Sequence, residues 1–352
     1  MIVSGHGRER PGMLPTLVLA LLLPAAAAKD RPGKRDTFES PAHKCASMPP
    51  GETLAQSISR FTTLRDTTVG LQNADKSWPT QDRCMLSNDW HRMANPIARA
   101  LEIHGLGVPG GHVYEFGVYG GGTMLSLWRL LRPSKIWGLD SFKGLPQHTV
   151  EKVKGWSGGA YSKDPRKALT VKMGEMNVGF VPGFYNDSLT DTLVEELGMW
   201  PAMYFGIDCD LYVSTVPALD WGLRSRIIVP GTMVGYDDWW VLPCGKGNEA
   251  LSPLDVGEGR AHAEMAIKYD VEFMCAAGPC AMPKSSGCDK HNTWGPIFVV
   301  LSIGKGRGTH GFTMSDDDMR AFKRSSGPCK GHHTDNFEFA PAIKRGRPRG
   351  LL

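Results

Sequence analysis

The sequence predicts an α/β fold in which a mostly parallel sheet is doubly wound, with helices on both of its faces. Short apolar runs typical of strands alternate with segments of helical periodicity, from "HVYEFGV" at residue 112 to "GPIFVVLSIG" at residue 295. Acids follow several of these runs directly, as Asp140 follows "KIWGL". Because ligands of such folds bind beyond the carboxyl ends of the strands, these acids indicate where a site lies.

The elements are predicted in order from these patterns. Helical spacing of apolar residues predicts a first helix over residues 88–105, ended by Gly105. The strands that follow are "HVYEFGV", "KIWGLD", "VGFVPG", "AMYFGID", "IIVPGTMVGYDD", "VEFMCAA" and "GPIFVVLSIG". The helices are "GTMLSLWRLLR", the part of "SKDPRKALTVKMGEM" after Pro165, "DSLTDTLVEELG" with Asp187 as its N-cap, "TVPALDWGLRSR" and "EGRAHAEMAIKY".

The bulk composition is that of a globular protein. The chain has 352 residues, of which 41% are hydrophobic and 22% charged, and its formal net charge is +4. The basic run "KRGRPRG" near the carboxyl end resembles an AT-hook, but it is a single short copy and we interpret it as a solvated tail. Nucleic acid is therefore not an expected partner.

Residues 1–28 are excluded from the fold. Arg8 and Arg10 precede the uncharged run "MLPTLVLALLLPAAAA", which is typical of a signal peptide. The run is shorter than the roughly 20 residues of a bilayer span, so a short membrane anchor is the second interpretation and an organelle-targeting leader is the third. We expect a protein of the secretory pathway or a secreted protein, which contacts a membrane only if this segment is not cleaved.

The rest of the chain divides into three parts. Residues 29–84 are rich in Pro, Lys, Arg, Ser and Thr and are predicted to form a poorly ordered arm. Residues 85–303 carry the folded domain, and residues 304–352 are predicted to be a basic, flexible tail. Eight cysteines behind such a leader allow disulfides of unpredicted connectivity, whereas Cys209 is predicted to be a buried thiol.

A glycine-rich turn follows the first predicted strand, in "VYEFGVYGGGTML". It has the pattern E-x-G-x-x-x-G (Glu115, Gly117, Gly121), not the G-x-G-x-x-G of dinucleotide enzymes. Asp140 lies 23 residues after Gly117, a distance that suits the two hydroxyls of a ribose. Glu115 would repel a pyrophosphate but suits a ligand with an amino group, which favours S-adenosylmethionine over NAD. The alternative is a turn that only lets strand and helix pack closely.

Four acids follow two later strands, Asp208 and Asp210 in "GIDCDLY" and Asp237 and Asp238 in "VGYDDWW". Crowded carboxylates repel one another unless they hold a cation or bind protons. We predict that Asp208, Asp237 and Asp238 bind Mg²⁺, which prefers oxygen ligands. Strand alternation turns Asp210 away, towards a capping role at the helix near Ser214. The alternative for all four is a set of helix caps and solvated loop acids.

The motifs "VYEFGVYGGGTML", "WGLDSFKGLP", "PGFYNDSLTDTL", "FGIDCDLYVSTVPAL" and "VPGTMVGYDDW" together resemble the macrocin and mycinamicin O-methyltransferases over residues 85–303. The resemblance implies a Rossmann-like class I methyltransferase fold with a seven-stranded sheet. It also implies a metal-dependent enzyme that methylates hydroxyls of a small molecule, such as a sugar or polyol, with S-adenosylmethionine.

The resemblance also implies roles for individual residues. It assigns the methionine part of the cofactor to Glu115, Gly117 and Gly121, the ribose to Asp140 and Ser141, the adenine to Asn186, Asp187 and Ser188, and Mg²⁺ to Asp208, Asp237 and Asp238. Related metal-dependent catechol enzymes have a lysine base where this chain has Leu211. Asp208 is therefore the first candidate base, with His262 or His291 as alternatives.

Two other functions stay open at this level. Asp208-Cys209-Asp210 also matches the D-x-D motif with which glycosyltransferases hold a metal and a nucleotide sugar, although this motif is short and leaves the glycine turn unexplained. A non-catalytic methyltransferase-like protein is the other alternative. The sequence does not decide whether the protein forms a homo-oligomer.

Overall fold

A sheet of seven strands forms the centre of the described structure. The strands are β1 (His112–Phe116), β2 (Ile136–Asp140), β3 (Val178–Pro182), β4 (Ala202–Ile207), β5 (Met233–Tyr236), β6 (Val271–Ala277) and β7 (Ile297–Ile303). They lie in the order β3-β2-β1-β4-β5-β7-β6. β1 to β5 pair in parallel, whereas β7 is antiparallel to both β5 and β6. The predicted seven-stranded, mostly parallel α/β sheet is confirmed.

Helices cover both faces of this sheet. They are α1 (54–61), α2 (Ala94–Ile103), α3 (Gly122–Leu131), α4 (Arg166–Met173), α5 (Tyr185–Ser188), α6 (Leu193–Glu196), α7 (Tyr212–Arg224), α8 (Gly257–Lys268) and α9 (Asp316–Ser325), with a 3₁₀ turn at Pro253–Asp255. Neighbouring residues of β1 belong to different cores: Tyr114 packs in the cluster that contains Trp221 of α7, and Val113 in the cluster that contains Leu101 of α2. This alternation is expected for a strand buried on both faces.

The computed structural model describes residues 49–61, 93–147, 156–245, 247–248, 250–278, 280 and 295–325. All of them fall within one compact unit that begins at residue 47. The predicted leader, the basic run at the carboxyl end and His291 lie outside the described residues. Within the described part, no helix has the length and hydropathy of a membrane span.

The segments that flank the predicted domain contribute to its core. Ile58 and Phe61 of α1, within the segment predicted to be an arm, are buried in the cluster that contains α2. On the other side, Phe322 of α9 packs against Trp240 with ring centroids 4.5 Å apart. The packed fold therefore extends beyond residues 85–303, because apolar residues in both flanks find partners that local periodicity does not reveal.

The predicted helix after β3 is interrupted. Residues 185–188 and 193–196 form α5 and α6, and Leu189 between them has φ −88° and ψ 68°, outside the helical region. Trp221 of α7 stabilises the interruption, because its Nε1 donates a hydrogen bond of 3.1 Å to the carbonyl of Thr190. The prediction that Asp187 caps a helix is wrong, because Asp187 lies inside α5 and Phe184 is its N-cap.

Cysteine chemistry differs between the core and the end of β6. Cys209 is a buried free thiol, as predicted. Cys275 and Cys280 form a disulfide that closes the turn after β6. Cys244 is also disulfide-bonded.

Candidate active site

A cavity of about 820 Å³ opens at the carboxyl ends of the parallel strands. The segments that line it follow β1, β2, β3, β4 and β5, and no lysine, arginine or histidine is among the described lining residues. Of the predicted site residues, the lining includes Gly117, Asp140, Ser141, Asn186, Asp187, Asp208, Asp237 and Asp238. Glu115, Gly121 and Ser188 do not line it.

Two glycines of the turn, Gly117 and Gly121, pack tightly against neighbouring atoms of the protein. Gly117 has φ +89°, and a Cβ atom there would lie 1.6 Å from the carbonyl oxygen of Asp208 on the neighbouring chain segment. Gly121, at φ +72°, would place a Cβ 2.5 Å from Leu169 of α4. Close packing alone, the alternative left open by the sequence, explains why these positions lack side chains. Gly117 still contributes its backbone to the cavity wall.

Glu115 lies behind the cavity wall. It pairs with Gly206 across β1 and β4, its side chain is 1% exposed, and neither of its carboxylate oxygens has a hydrogen-bond partner among the described residues. Burial, and then the charge of Asp237, raise the pKa of Glu115 well above its usual value. A buried polar group without a partner is costly, so this acid requires an explanation beyond packing.

Asp140 is fixed by the glycine turn that it faces. Its Oδ2 accepts hydrogen bonds from the N–H groups of Val118 (2.7 Å) and Tyr119 (3.2 Å), and its Oδ1 accepts one from Phe142 N–H (2.6 Å). A carboxylate oxygen accepts about two hydrogen bonds, so Oδ1 has capacity for one more whereas Oδ2 is already satisfied. The neighbouring Ser141 donates its hydroxyl hydrogen to the carbonyl of Gly144 at 2.8 Å, so it orders the turn after β2.

The segment after β3 forms another wall of the cavity. Asn186 and Asp187 line it together with the aromatic rings of Phe184 and Tyr185. Ser188 is turned away, since its hydroxyl donates to the carbonyl of Phe184 at 3.1 Å. Flat apolar rings beside polar side chains are suited to a heteroaromatic base.

Asp208, Asp237 and Asp238 converge in the cavity. Each is partly buried and offers one oxygen, and the three oxygens all lie within 4.8 Å of one another. Burial is the first cause that raises the pKa of Asp208 and of Asp238, and the next is a neighbouring acid, Asp237 for Asp208 and Asp210 for Asp238. The donor set, three carboxylate groups without a basic partner in the lining, fits a hard divalent cation.

Asp210 also lines the cavity, so the prediction that it turns away is wrong. β4 ends at Ile207, and Asp210 has φ +63°, so the alternation of an extended strand does not continue to this residue. It does not cap α7 either, because Leu211 is the N-cap and no side chain caps that end. Burial raises the pKa of Asp210 to about 7, although a hydrogen bond with Asp238 acts in the opposite direction.

His262 does not reach the cavity, so its prediction as an alternative base is wrong. It lies on the buried face of α8, where Nδ1 is 2.7 Å from the hydroxyl of Tyr236 and Nε2 is 2.9 Å from the carbonyl of His310. Burial lowers its pKa to about 3, so the ring is neutral at physiological pH. Its role is to pack behind β5.

Two features near the acids were not predicted from the sequence. Tyr161, at φ +62° in the segment before α4, lines the cavity, and burial and then Asp210 raise the pKa of its hydroxyl. Glu258, in the first turn of α8, is buried directly behind Asp238 and Cys209. Neither lies at a strand end or in a recognisable motif, so only the fold brings them to the acids.

The fold and the cavity together define a Rossmann-like methyltransferase. The sequence profile of the macrocin O-methyltransferase (TylF) family matches residues 54–250, more than half of the chain. The chain therefore belongs to this family and is an O-methyltransferase, which implies the use of S-adenosylmethionine and sets aside the glycosyltransferase and non-catalytic alternatives.

Solved structures of three methyltransferases are similar to this chain at low sequence identity. CalS11, a calicheamicin methyltransferase, is 19% identical over 72% of this chain and 98% of its own, with a TM-score of 0.39. The O-methyltransferase NovP is 16% identical over 70% of this chain and 99% of its own, with a TM-score of 0.39. SAH-bound PaMTH1 of Podospora anserina is 11% identical over 73% of this chain and 98% of its own, with a TM-score of 0.34. No curated protein matches the chain.

Proposed function

We propose that this enzyme methylates a hydroxyl group of a small polyhydroxylated molecule, such as a sugar or polyol, and that it requires Mg²⁺. The observation that carries the proposal is the convergence of Asp208, Asp237 and Asp238, whose oxygens lie within 4.8 Å of one another. These acids line the same cavity as Asp140. A methyl donor held at Asp140 and an acceptor held at the three acids would therefore meet in one space. When bound, S-adenosylmethionine would supply the methyl group, and Mg²⁺ would hold neighbouring acceptor oxygens and lower the pKa of one of them.

The cofactor half of the cavity is assigned to the segments after β2 and β3. Asp140 is held in place by three backbone N–H groups and faces the cavity, where it suits the hydroxyls of a ribose. Phe184 and Tyr185 provide apolar surface for a base, beside Asn186 and Asp187. Glu115 lies behind the cavity wall, and its buried carboxyl group has no hydrogen-bond partner among the described residues. It is the residue that suits a positively charged amino group at the glycine turn.

The acceptor half is assigned to the segments after β4 and β5, together with the stretch from Trp156 to Tyr161 that precedes α4. Trp156, Tyr161 and Val241 line the cavity together with the acids, and the aromatic rings of the first two offer flat apolar surface to the C–H face of a ring. Asp210 lies in this half but is not one of the three converging acids. It shares a hydrogen bond with Asp238, and in its deprotonated form its carboxylate would accept the proton of the acceptor hydroxyl. We therefore propose Asp210 as the base, with Asp208 as the alternative from the sequence.

The proposal is tested with labelled S-adenosylmethionine and a panel of sugars and vicinal diols, with Mg²⁺ or with EDTA. We expect transfer of label to at least one acceptor, loss of transfer in EDTA and recovery with Mg²⁺. Asp210→Asn should lower kcat and leave Mn²⁺ affinity nearly unchanged, whereas Asp208→Asn should weaken Mn²⁺ binding. Full activity in EDTA would refute the metal requirement, and loss of metal binding in Asp210→Asn would refute its assignment as base.

We also propose that the protein works in the secretory pathway. The disulfide between Cys275 and Cys280 and the disulfide of Cys244 support an oxidising compartment, where such bonds persist. Amino-terminal sequencing of the mature protein tests this, since a signal peptide predicts a start close to residue 29. A mature chain that begins at residue 1 and carries reduced thiols would contradict it.

A further inference from the structure

Glu258 occupies a position that the proposed chemistry does not use. It is 1% exposed and lies in the first turn of α8, at the back of the acid cluster. It does not line the cavity, so it cannot touch a substrate or serve as one of the converging ligands. A fifth acid behind Asp208, Asp210, Asp237 and Asp238 adds repulsion, and such a placement needs a compensating role.

The hydrogen bonds of Glu258 reach both of the segments that carry the acids. Its Oε2 accepts a hydrogen bond of 3.0 Å from the backbone N–H of Asp238. The backbone N–H of Cys209 also interacts with the carboxyl group and, like that of Asp238, acts against the rise in its pKa that burial causes. Cys209 stands between Asp208 and Asp210, and Asp238 follows Asp237. One side chain thus joins the segment after β4 to the segment after β5.

The start of α8 is built to bring Glu258 to this place. The next residue, Gly259, lies so close to the 3₁₀ turn that a Cβ atom would be 2.4 Å from the carbonyl oxygen of Pro253. An acid in the first turn of a helix is favoured by the helix dipole, which offsets part of the cost of burying it. The other oxygen, Oε1, has no hydrogen-bond partner among the described residues, so the two backbone N–H groups are the polar contacts that define the orientation of the side chain.

We propose that Glu258 is a positioning residue, which sets the spacing between the Asp208–Asp210 segment and the Asp237–Asp238 segment and thereby the geometry of the cation site. It acts through the position of its acceptor oxygen, because the two N–H groups need a partner at that point. This inference rests on the proposed metal-dependent function. Partners of this kind commonly change metal affinity about 10- to 100-fold when they are removed.

Two conservative variants separate position from charge. Glu258→Gln keeps the length of the side chain and an acceptor oxygen but loses the charge, whereas Glu258→Asp keeps the charge and withdraws the oxygen by one methylene. Glu264→Asp is the matched control, since Glu264 lies on the same helix and pairs with Arg260 and Tyr212 rather than with the acid segments. All three variants keep a carboxyl or carboxamide group, which favours folding.

Two measurements are made on each full-length variant. Binding of Mn²⁺ alone is measured by titration calorimetry, with S-adenosylhomocysteine binding as the reference for the cofactor half. We expect Glu258→Asp to weaken Mn²⁺ binding about 10- to 100-fold, with Glu258→Gln within about threefold of wild type. Cofactor affinity should be unchanged in both. In the metal-free protein, hydrogen exchange of the Cys209 and Asp238 amides should be faster in Glu258→Asp and not in Glu258→Gln.

The outcomes distinguish this inference from the proposed function. Wild-type affinity for Mn²⁺ in Glu258→Asp would overturn the inference and leave metal dependence standing. Equal weakening in both variants would also overturn it, because the charge and not the position would then matter. If the wild-type protein binds no Mn²⁺, the metal-dependent function fails, and the inferred role in a cation site fails with it. If hydrogen exchange of the Cys209 and Asp238 amides is unchanged in Glu258→Asp, then Glu258 does not join the two acid segments.

Discussion

Replacement of Gly117 by Ala tests whether the glycine turn is required for packing between β1 and β4. The added Cβ would lie 1.6 Å from the Asp208 carbonyl oxygen, a backbone atom that cannot rotate away. Holding Ala at φ +89° costs about 1–2 kcal/mol, and the forced shift of neighbouring atoms adds about 1–3 kcal/mol. We therefore expect a loss of about 2–5 kcal/mol in the free energy of unfolding, a large share of the roughly 5–15 kcal/mol typical of a domain.

The same glycine run provides the control. A Cβ at Gly122, the first residue of α3, meets nothing within 4 Å, and its φ is not positive. Gly122→Ala should therefore leave the stability unchanged or raise it by less than about 1 kcal/mol. Equilibrium unfolding in urea measures both variants. A free energy of unfolding for Gly117→Ala within about 0.5 kcal/mol of wild type, the usual range of harmless surface changes, would refute the packing explanation.

Three further predictions concern charge and covalent bonds. Asp237→Asn should weaken Mn²⁺ binding and activity and leave S-adenosylhomocysteine affinity nearly unchanged, which titration calorimetry and label transfer measure; activity that survives this change would contradict the ligand assignment. The folded-state pKa of Asp210 is raised to about 7, so the folded protein binds more protons than the unfolded chain and loses stability as the pH rises from about 4 through 7. The pKa values of the proposed ligands Asp208 and Asp238 are raised as well, so protons compete with a cation at these groups. The rise in melting temperature on addition of Mg²⁺ should therefore be larger at pH 8 than at pH 5, and an equal rise would contradict the acid cluster as the binding site. Reduction of the Cys275–Cys280 disulfide should lower the free energy of unfolding by about 2 kcal/mol, the chain-entropy value for so short a loop, and a Cys275→Ser/Cys280→Ser variant should make the protein insensitive to reductant at this turn.

The order of strands and helices was predictable because both faces of the sheet are buried. A run such as "AMYFGID" is apolar on both sides of β4, and the acids Asp208 and Asp210 come directly after the strand. The sequence also indicated which acids meet, since parallel strands end at one edge and the segments after β4 and β5 are neighbours. These inferences use local patterns together with a general rule of topology.

Features that depend on the geometry of a single residue were not predictable in the same way. Asp210 was assigned by strand alternation, but the strand stops at Ile207 and the left-handed backbone at Asp210 reverses the expected direction. Glu258 lies 20 residues after Asp238 in a helix whose sequence signals only amphipathic packing. Periodicity carries no information about contacts of this kind, which arise from the way in which α8 docks on the sheet.

The acids have two structural explanations that involve no metal: they could be helix caps, or they could be solvated loop acids. If Asp208, Asp237 and Asp238 were helix caps, a side-chain bond to the start of α7 or α8 would be present, yet neither of these helices has one. If they were solvated loop acids, their pKa values would stay near the usual range, whereas burial and mutual repulsion raise the pKa of Asp208 and of Asp238. Ionised carboxyl groups that are neither caps nor solvated cost stability unless they bind protons or hold a cation. No basic side chain is among the described lining residues. The proposed divalent cation would offset this cost, so the contacts of the three acids are better explained by the proposed metal requirement than by a capping or solvated role.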